Sequence, residues 1–223
     1  MGYNDWRIVL AGIFSRNRRK SRVASNNTNK ILDLLYGFRL SKYLIYQVLK
    51  SRAANLVVRI TPHLDGGELV LDIGPASCTV TELLRQRGVN VIPLDVQNYS
   101  IVESILPVLY DGDTVPFVDD RFDVSLILFV LHHTYEPEKL LLEALRVSKR
   151  IIVYEDIVLS PVHKVLTSAA DMLINLEFYD QPHSNKQDEE WRTLFRALGL
   201  RLLHSEYRSY GLVFRHALYV LEK

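Results

Sequence analysis

The alternation of strand and helix that begins at residue 68 constrains this chain more than any other feature. ELVLDIG (68–74) reads as a short buried strand and TVTELLRQRG (79–88) as a helix stopped at Gly88. VNVIPLDV (89–96) is a second strand, SIVESIL (100–106) a short helix, and PVLYDG (107–112) a third strand. FDVSLILFVL (122–131) is a fourth strand, apolar on both faces. EPEKLLLEALRVSK (136–149) is a helix with Pro137 in its first turn, and RIIVYEDIV (150–158) a fifth strand. Continuous apolar strands separated by helices mean a parallel sheet covered on both sides. A helical insert (161–178), the loop DQPHSNKQ, the helix DEEWRTLFRALGL and two strands near 200–208 and 214–222 follow. No internal repeat or low-complexity tract interrupts this order.

One turn within this frame carries chemistry. LVLDIGPASCTVTELL (69–84) begins as a nucleotide-binding turn does, with an apolar run, Asp72, Gly74 and then a helix. Ligands of open parallel sheets sit beyond the carboxyl ends of the strands, where strand order reverses. The turn there must be tight, and Gly74 supplies the tightness. Ala76 and Cys78 stand where residues without a side chain would fit most easily. Alanine follows such a turn readily when its φ is negative. Asp95 ends the second strand 95 − 74 = 21 residues on, about the distance at which an acid reaches ribose hydroxyls. Thr79 stands where a dinucleotide site wants glycine, and a strand–turn–helix without a ligand accounts for this pair equally well.

YDGDTVPFVDDRFDVSLILFVLHHTYEP (110–137) breaks the tie. Asp111 and Gly112 precede Pro116 and Phe117 by five and four places. Phe122 and Asp123 open the fourth strand, and Leu131, His132 and His133 follow its apolar run. With Asp72–Cys78 and Asp95, this order resembles the class I S-adenosylmethionine-dependent methyltransferases, in particular the small-molecule group called methyltransferase type 11. The resemblance covers residues 66–158 by motif and the rest by element order. It implies an α/β fold: a Rossmann-like, doubly wound, seven-stranded sheet, mostly parallel with an antiparallel last strand and helices on both faces.

The resemblance also implies roles. Backbone from Gly74 through Pro75 to Ala76 would pass under the methionine part of S-adenosylmethionine, and Asp72 would help hold its ammonium group. Asp95, with Val96 beside it, would accept from the ribose hydroxyls. Asp111 would accept from the adenine amino group near the Gly112 backbone, while Leu128 and Phe129 would line the pocket. The departures, Ala76 and Cys78, would weaken or reshape binding. Cys78 reads as a packed small residue, since no basic partner for a thiolate is evident.

Sulfonium methyl transfer is an in-line displacement, so alignment supplies most of the rate and a base is needed only if the acceptor loses a proton. His133, Asp156 and His183 are the leading candidates, with Glu155, Tyr135 and Glu177 behind them. His132 reads as a structural, hydrogen-bonded histidine. His183 has an ordinary surface reading, set against a substrate-lid reading of NLEFYDQPHSN (175–185). The histidines lack metal-ligand spacing, so no metal is implied.

Charge divides the chain. Residues 1–60 carry 12 Lys or Arg against 2 Asp or Glu, a net of +10, and residues 61–223 carry 15 against 24, a net of −9. Domains are therefore expected as a basic arm with cap helices (1–60) and a methyltransferase-like domain (61–223) with a helical insert near 161–185. The basic RNRRKSR (16–22) reads first as a solvated segment. Beside Trp6 and IVLAGIF (8–14), peripheral contact of residues 1–30 with an anionic membrane is the preferred functional reading, ahead of nucleic acid. The face with Leu34, Leu35, Phe38 and Ile45 is expected to pack on the domain or roof the pocket, suiting an apolar acceptor. One cysteine excludes an internal disulfide framework. No apolar run is long enough to span a bilayer, and IVLAGIF lacks the layout of a secretory signal. A cytoplasmic enzyme, peripheral to membrane through its arm, is expected. The reading is methyl transfer to a small, partly apolar acceptor; a non-catalytic cofactor-binding or scaffold protein of the same fold is the alternative. The sequence leaves the acceptor and the oligomeric state open.

Overall fold

The structure, a computed structural model, describes residues 39–160, 163, 165, 167, 185–210 and 214–223. It opens with α1 (Arg39–Ile60), closed by a 3-10 turn at Thr61–His63 where Pro62 follows the helix. Then come β1 (Leu69–Ile73), α2 (Thr79–Gln86), β2 (Asn90–Asp95), β3 (Val108–Leu109) and β4 (Phe122–Leu128). A 3-10 turn at Leu131–His133 leads to α3 (Pro137–Val147) and β5 (Ser148–Asp156). The chain ends with α4 (Asp188–Ala197), β6 (Arg201–Tyr210) and β7 (Phe214–Glu222).

The seven strands form one sheet in the order β3-β2-β1-β4-β5-β7-β6. The first five run parallel, and β7 enters antiparallel between β5 and β6. This is the expected Rossmann-like architecture with its antiparallel last strand. Order reverses between β1 and β4, which places the crevice at the ends of those strands. The strands are apolar on both faces because both are covered. α1 and α2 pack on one face around Val57, Ile60, Leu84, Val124 and Tyr154. α3 and α4 pack on the other around Leu141, Ala144, Val153, Trp191 and Tyr219.

Two local expectations are corrected. SIVESIL is not helical; residues 103–104 make a turn, and Val102 and Ile105 point into a small cluster around Cys78. Two well-placed apolar residues suffice to anchor a loop, and seven residues are too few to make a helix stable alone. The third strand is only two residues long, paired through Leu94 and Asp95. Pro93 explains the start of that pairing: it lacks a ladder N–H and stands just before β3 begins.

α1 buries Ala53, Val57 and Ile60 against the sheet, and Ile45 is half-buried. Leu34, Leu35 and Phe38, like the basic RNRRKSR segment and most of the insert near 161–185, lie outside the described residues. In the first half of α1 the Tyr46 hydroxyl donates to Glu82 of α2 (2.9 Å), and at its last turn Arg59 pairs with Glu206 of β6 (2.9 Å). Among the described residues no helix is long and apolar enough to cross a membrane.

Candidate functional site

β1 ends in a turn that holds three left-handed residues in five: Gly74 (φ 70°), Ala76 (φ 45°) and Cys78 (φ 56°). Ala76 takes a positive φ, so the condition under which alanine follows such a turn readily is not met. Each non-glycine residue there costs on the order of 1 kcal/mol. The turn persists because several contacts fix it at once. Gly74 N–H donates to Leu94 O (2.8 Å), Cys78 N–H to Pro75 O (2.9 Å), and Ile101 N–H to Ser77 O (3.2 Å). Gly74 is required for a second reason: a Cβ there would lie 2.7 Å from Val130 Cγ2, at the end of β4. Cys78 is fully buried, and burial pushes its thiol up to about 12, so it is a packing residue and no nucleophile.

Two acids converge on this turn. Asp72 is buried in β1, where its Oδ2 accepts from the Thr81 hydroxyl of α2 (2.6 Å). Asp95 ends β2. Its Oδ1 accepts from Val96 N–H (2.7 Å) and its Oδ2 from Ala76 N–H (3.2 Å), so it links the two turns. Burial pushes both carboxyls up to about 6; Asp95 adds to the rise at Asp72, while backbone hydrogen bonds oppose it at Asp95. Neither acid forms an ion pair among the described residues. The negative charge at this edge is thus desolvated and, among the described residues, offset only by hydrogen bonds and by the more distant Arg85.

Beyond β3, Asp111 is exposed. Its Oδ1 accepts from Asp113 N–H (2.8 Å) and Thr114 N–H (3.0 Å), which lower its pKa. Gly112 (φ 88°) backs onto Val96: a Cβ there would come within 3.2 Å of Val96 Cγ1. Asp95, Val96, Asp111 and Gly112 are therefore brought to one place by the β2–β3 pairing. The Pro116–Phe117 stretch is pinned to α3 through Arg146, which donates to Val115 O and Phe117 O (both 2.8 Å).

Leu128 ends β4, and Phe129 follows in a left-handed conformation (φ 59°), its N–H donating to Tyr154 O (2.7 Å). Next comes a buried acid–base pair. Glu155 is fully enclosed; its Oε1 accepts from Val130 and Leu131 N–H (2.9 and 2.7 Å) and its Oε2 lies 2.5 Å from His132 Nδ1. Those engagements remove Glu155 from the candidate bases and make His132 the structural histidine that was expected. His133 is half-buried with its ring 3.9 Å from that of His132, and Tyr135 is exposed. His183 and Glu177 lie outside the described residues.

Asp156, at the end of β5, is buried and pairs across the sheet with His216 of β7, Oδ1 to Nε2 2.9 Å. The sequence names Asp156 as a candidate and does not single out His216, the residue beside it. The signal was present only as alternation: His216 lies on the same strand face as Leu218 and Val220.

These residues fit an adenosyl–methionine group on two observations: a turn kept free of Cβ at Gly74, and two buried acids that form no ion pair among the described residues. Among the described residues no group of three His, Cys, Asp or Glu could hold a metal.

Residues 71–151 match the family described as Methyltransferase domain. A demethylmenaquinone methyltransferase of Paenarthrobacter aurescens (strain TC1) is 33% identical over 98 residues, 40% of this chain and 39% of the relative. The chain thus matches about two-fifths of that relative's length. Among solved structures, a SAM-dependent methyltransferase from Aquifex aeolicus aligns with TM-score 0.55 at 16% identity, over 78% of this chain and 98% of that one. The [4+2]-cyclase SpnF aligns with TM-score 0.58 at 17% identity, over 77% and 80%. These likenesses establish the fold.

Proposed function

We propose, from the premise that this chain carries a class I methyltransferase domain, that it is an S-adenosylmethionine-dependent methyltransferase acting on a small, partly apolar acceptor. The observation that carries the reading is the pair of buried acids, Asp72 and Asp95, without an ion pair among the described residues, beside the left-handed turn at Gly74–Cys78. The cofactor supplies an electrophilic methyl group on a positively charged sulfur. Asp72 sits where an ammonium group would be attracted, and the attraction is strengthened by burial. Asp95 and Val96 face the ribose position, Asp111 and Gly112 the adenine, and backbone from Gly74 through Pro75 to Ala76 the methionine chain. Leu128 and Phe129 close the apolar side. Demethylmenaquinone, the acceptor in the relative's name, joins an aromatic ring to an apolar tail, and the Phe129 side of the edge suits such a ring.

The alternative, a non-catalytic protein of this fold, is motivated by Ala76 N–H, which already occupies Asp95 Oδ2. Thermal melting with S-adenosylhomocysteine separates the two. A ligand selective for the folded state must raise the melting temperature. We expect a clear rise in wild type, and in Asp95→Ala a binding loss of about 1.5–3 kcal/mol, the scale of hydrogen bonds to a charged group. No rise at millimolar ligand in a folded sample rejects the cofactor.

A further inference from the structure

The end of β5 and the start of β7 hold a second constellation that the cofactor reading does not use. Asp156 is 4% exposed, and its Oδ1 lies 2.9 Å from His216 Nε2 without hydrogen-bond alignment. Four aromatic rings surround the imidazole. Phe129 lies 4.9 Å from it edge-to-face, Tyr154 5.5 Å, Tyr210 4.7 Å in a tilted stack, and Phe214 6.3 Å. Burying a carboxylate at a strand end is costly unless a positive or proton-donating partner accompanies it. A core has no need of such a pair, and apolar residues would fill the space more favourably. The pair stands at the carboxyl edge of the sheet. Phe129 links it to the nucleotide-side turn, because Val130 next in sequence packs against Gly74.

We infer that His216 is the base that takes a proton from the acceptor and that Asp156 positions it, the acceptor being an aromatic hydroquinone held among these rings. The inference rests on the methyltransferase reading above. The Asp156 carboxylate favours the proton on Nε2, which leaves Nδ1 as the nitrogen able to receive one. The acceptor O–H bond breaks and its proton passes to Nδ1. The electron pair left on oxygen raises electron density at the neighbouring ring carbon, which forms the bond to the methyl group as the S–CH3 bond breaks with its pair to sulfur. Loss of the proton from that carbon restores the aromatic ring, the oxygen regains a proton, and one proton in all is released to water.

Of the described elements, the titratable and charged groups facing His216 are Asp156 and Tyr154 on β5 and Arg208 and Tyr210 on β6. Arg59 of α1 and Glu206 lie beyond Tyr154, paired with each other. Asp156 is the one whose charged atom lies within 4 Å of an imidazole nitrogen.

The test uses the full chain, labelled S-adenosylmethionine and the chemically reduced form of a 2-prenyl-1,4-naphthoquinone, with S-adenosylhomocysteine melting shifts measured in parallel. Wild type should methylate the hydroquinone. His216→Gln should lose roughly a hundredfold or more in kcat, the usual contribution of a positioned base. It should keep its melting shift with S-adenosylhomocysteine. His216→Ala should recover activity with added imidazole. Asp156→Asn should lose less and move the acid limb of the rate–pH profile, which a merely structural role would leave in place. Titration of the His216 ring signal by NMR, in wild type and Asp156→Asn, reports their coupling independently of turnover; an unmoved midpoint rejects Asp156 as the positioning group. A His216→Gln enzyme within threefold of wild type overturns the inference. So does a wild-type enzyme that binds S-adenosylhomocysteine and leaves the hydroquinone unmethylated. Absence of the melting shift in wild type would instead remove the cofactor reading on which the inference stands.

Discussion

The two halves of the sheet's carboxyl edge treat buried acids in opposite ways. At the ends of β1 and β2, Asp72 and Asp95 are desolvated and form no ion pair among the described residues, and burial raises both pKa values to about 6. At the end of β5, Glu155 and Asp156 are as deeply buried, yet each faces an imidazole, His132 or His216. Isolated negative charge in a dry place disfavours folding and attracts a positive ligand; compensated charge holds structure or moves protons. On the function proposed above, the first half would receive a cationic guest and the second a neutral one. The backbone differs in parallel. The first half accepts left-handed strain at Ala76 and Cys78 to bring main chain to the crevice. The second builds its surface mainly from side chains on regular strands.

The comparison can be broken most forcefully at the compensated half. His132→Ala leaves Glu155 enclosed without its imidazole, and we expect a loss of about 3–5 kcal/mol in urea unfolding. A loss below about 1 kcal/mol would mean that the pair is not the anchor of the β4 turn. Next in size is Gly74→Ala. Both the positive φ and the 2.7 Å approach to Val130 oppose it, so about 3 kcal/mol should be lost. Adding Val130→Ala should remove the clash and leave the φ cost of about 1 kcal/mol plus a small cavity term. Equal stability of the single and double variants would show that packing against Val130 is unimportant.

Asp72→Asn probes the uncompensated half and should act in the other direction. The folded pKa of Asp72 lies above the ordinary 3.8. Its contribution to stability is therefore fully present below about pH 4 and is lost as pH climbs through about 6; Asp95 behaves alike. At pH 7.5 the ionised Asp72 costs at most about 3 kcal/mol, by the linkage between pKa shift and free energy. The neutral amide should then stabilise the ligand-free protein by about 1–2 kcal/mol at pH 7.5 and by about half as much at pH 5. The same change should weaken S-adenosylhomocysteine, and in wild type the ligand's melting shift should grow between pH 5 and pH 7.5. Guanidinium titrations at the two pH values check this; destabilisation at pH 7.5 would show that the acid serves the fold. Smallest is Ala76→Gly. Relief of left-handed strain and the greater freedom of glycine in the unfolded chain nearly cancel, leaving less than about 1 kcal/mol. Ligand affinity should be kept or tightened, and calorimetry with S-adenosylhomocysteine reads it. A clear loss would mean that the Ala76 methyl itself touches the ligand.

Much of the fold was legible because buried parallel strands and amphipathic helices leave strong local patterns. Gly74, Asp95 and the Asp111–Phe117 spacing were legible because a turn and a strand end are local events. The SIVESIL helix was misread because a loop anchored by Val102 and Ile105 resembles a helix in composition. The left-handed φ of Ala76 was not legible, because residue type sets only a preference while the hydrogen bonds around the turn set the outcome.

The sequence by itself determined most of the succession of strands and helices along the chain and the acids at the ends of β1 and β2. It did so because each follows from the periodicity or chemistry of a few adjacent residues. Only the tertiary structure decided that Glu155 is spent on His132 and that Asp156 meets His216, 60 residues away by 216 − 156. That meeting depends on β7 turning antiparallel beside β5 in a register that pairs Asp156 with His216. A slip of one residue would turn His216 to the opposite face, and the register is set by packing across the whole sheet, which no short stretch of sequence contains.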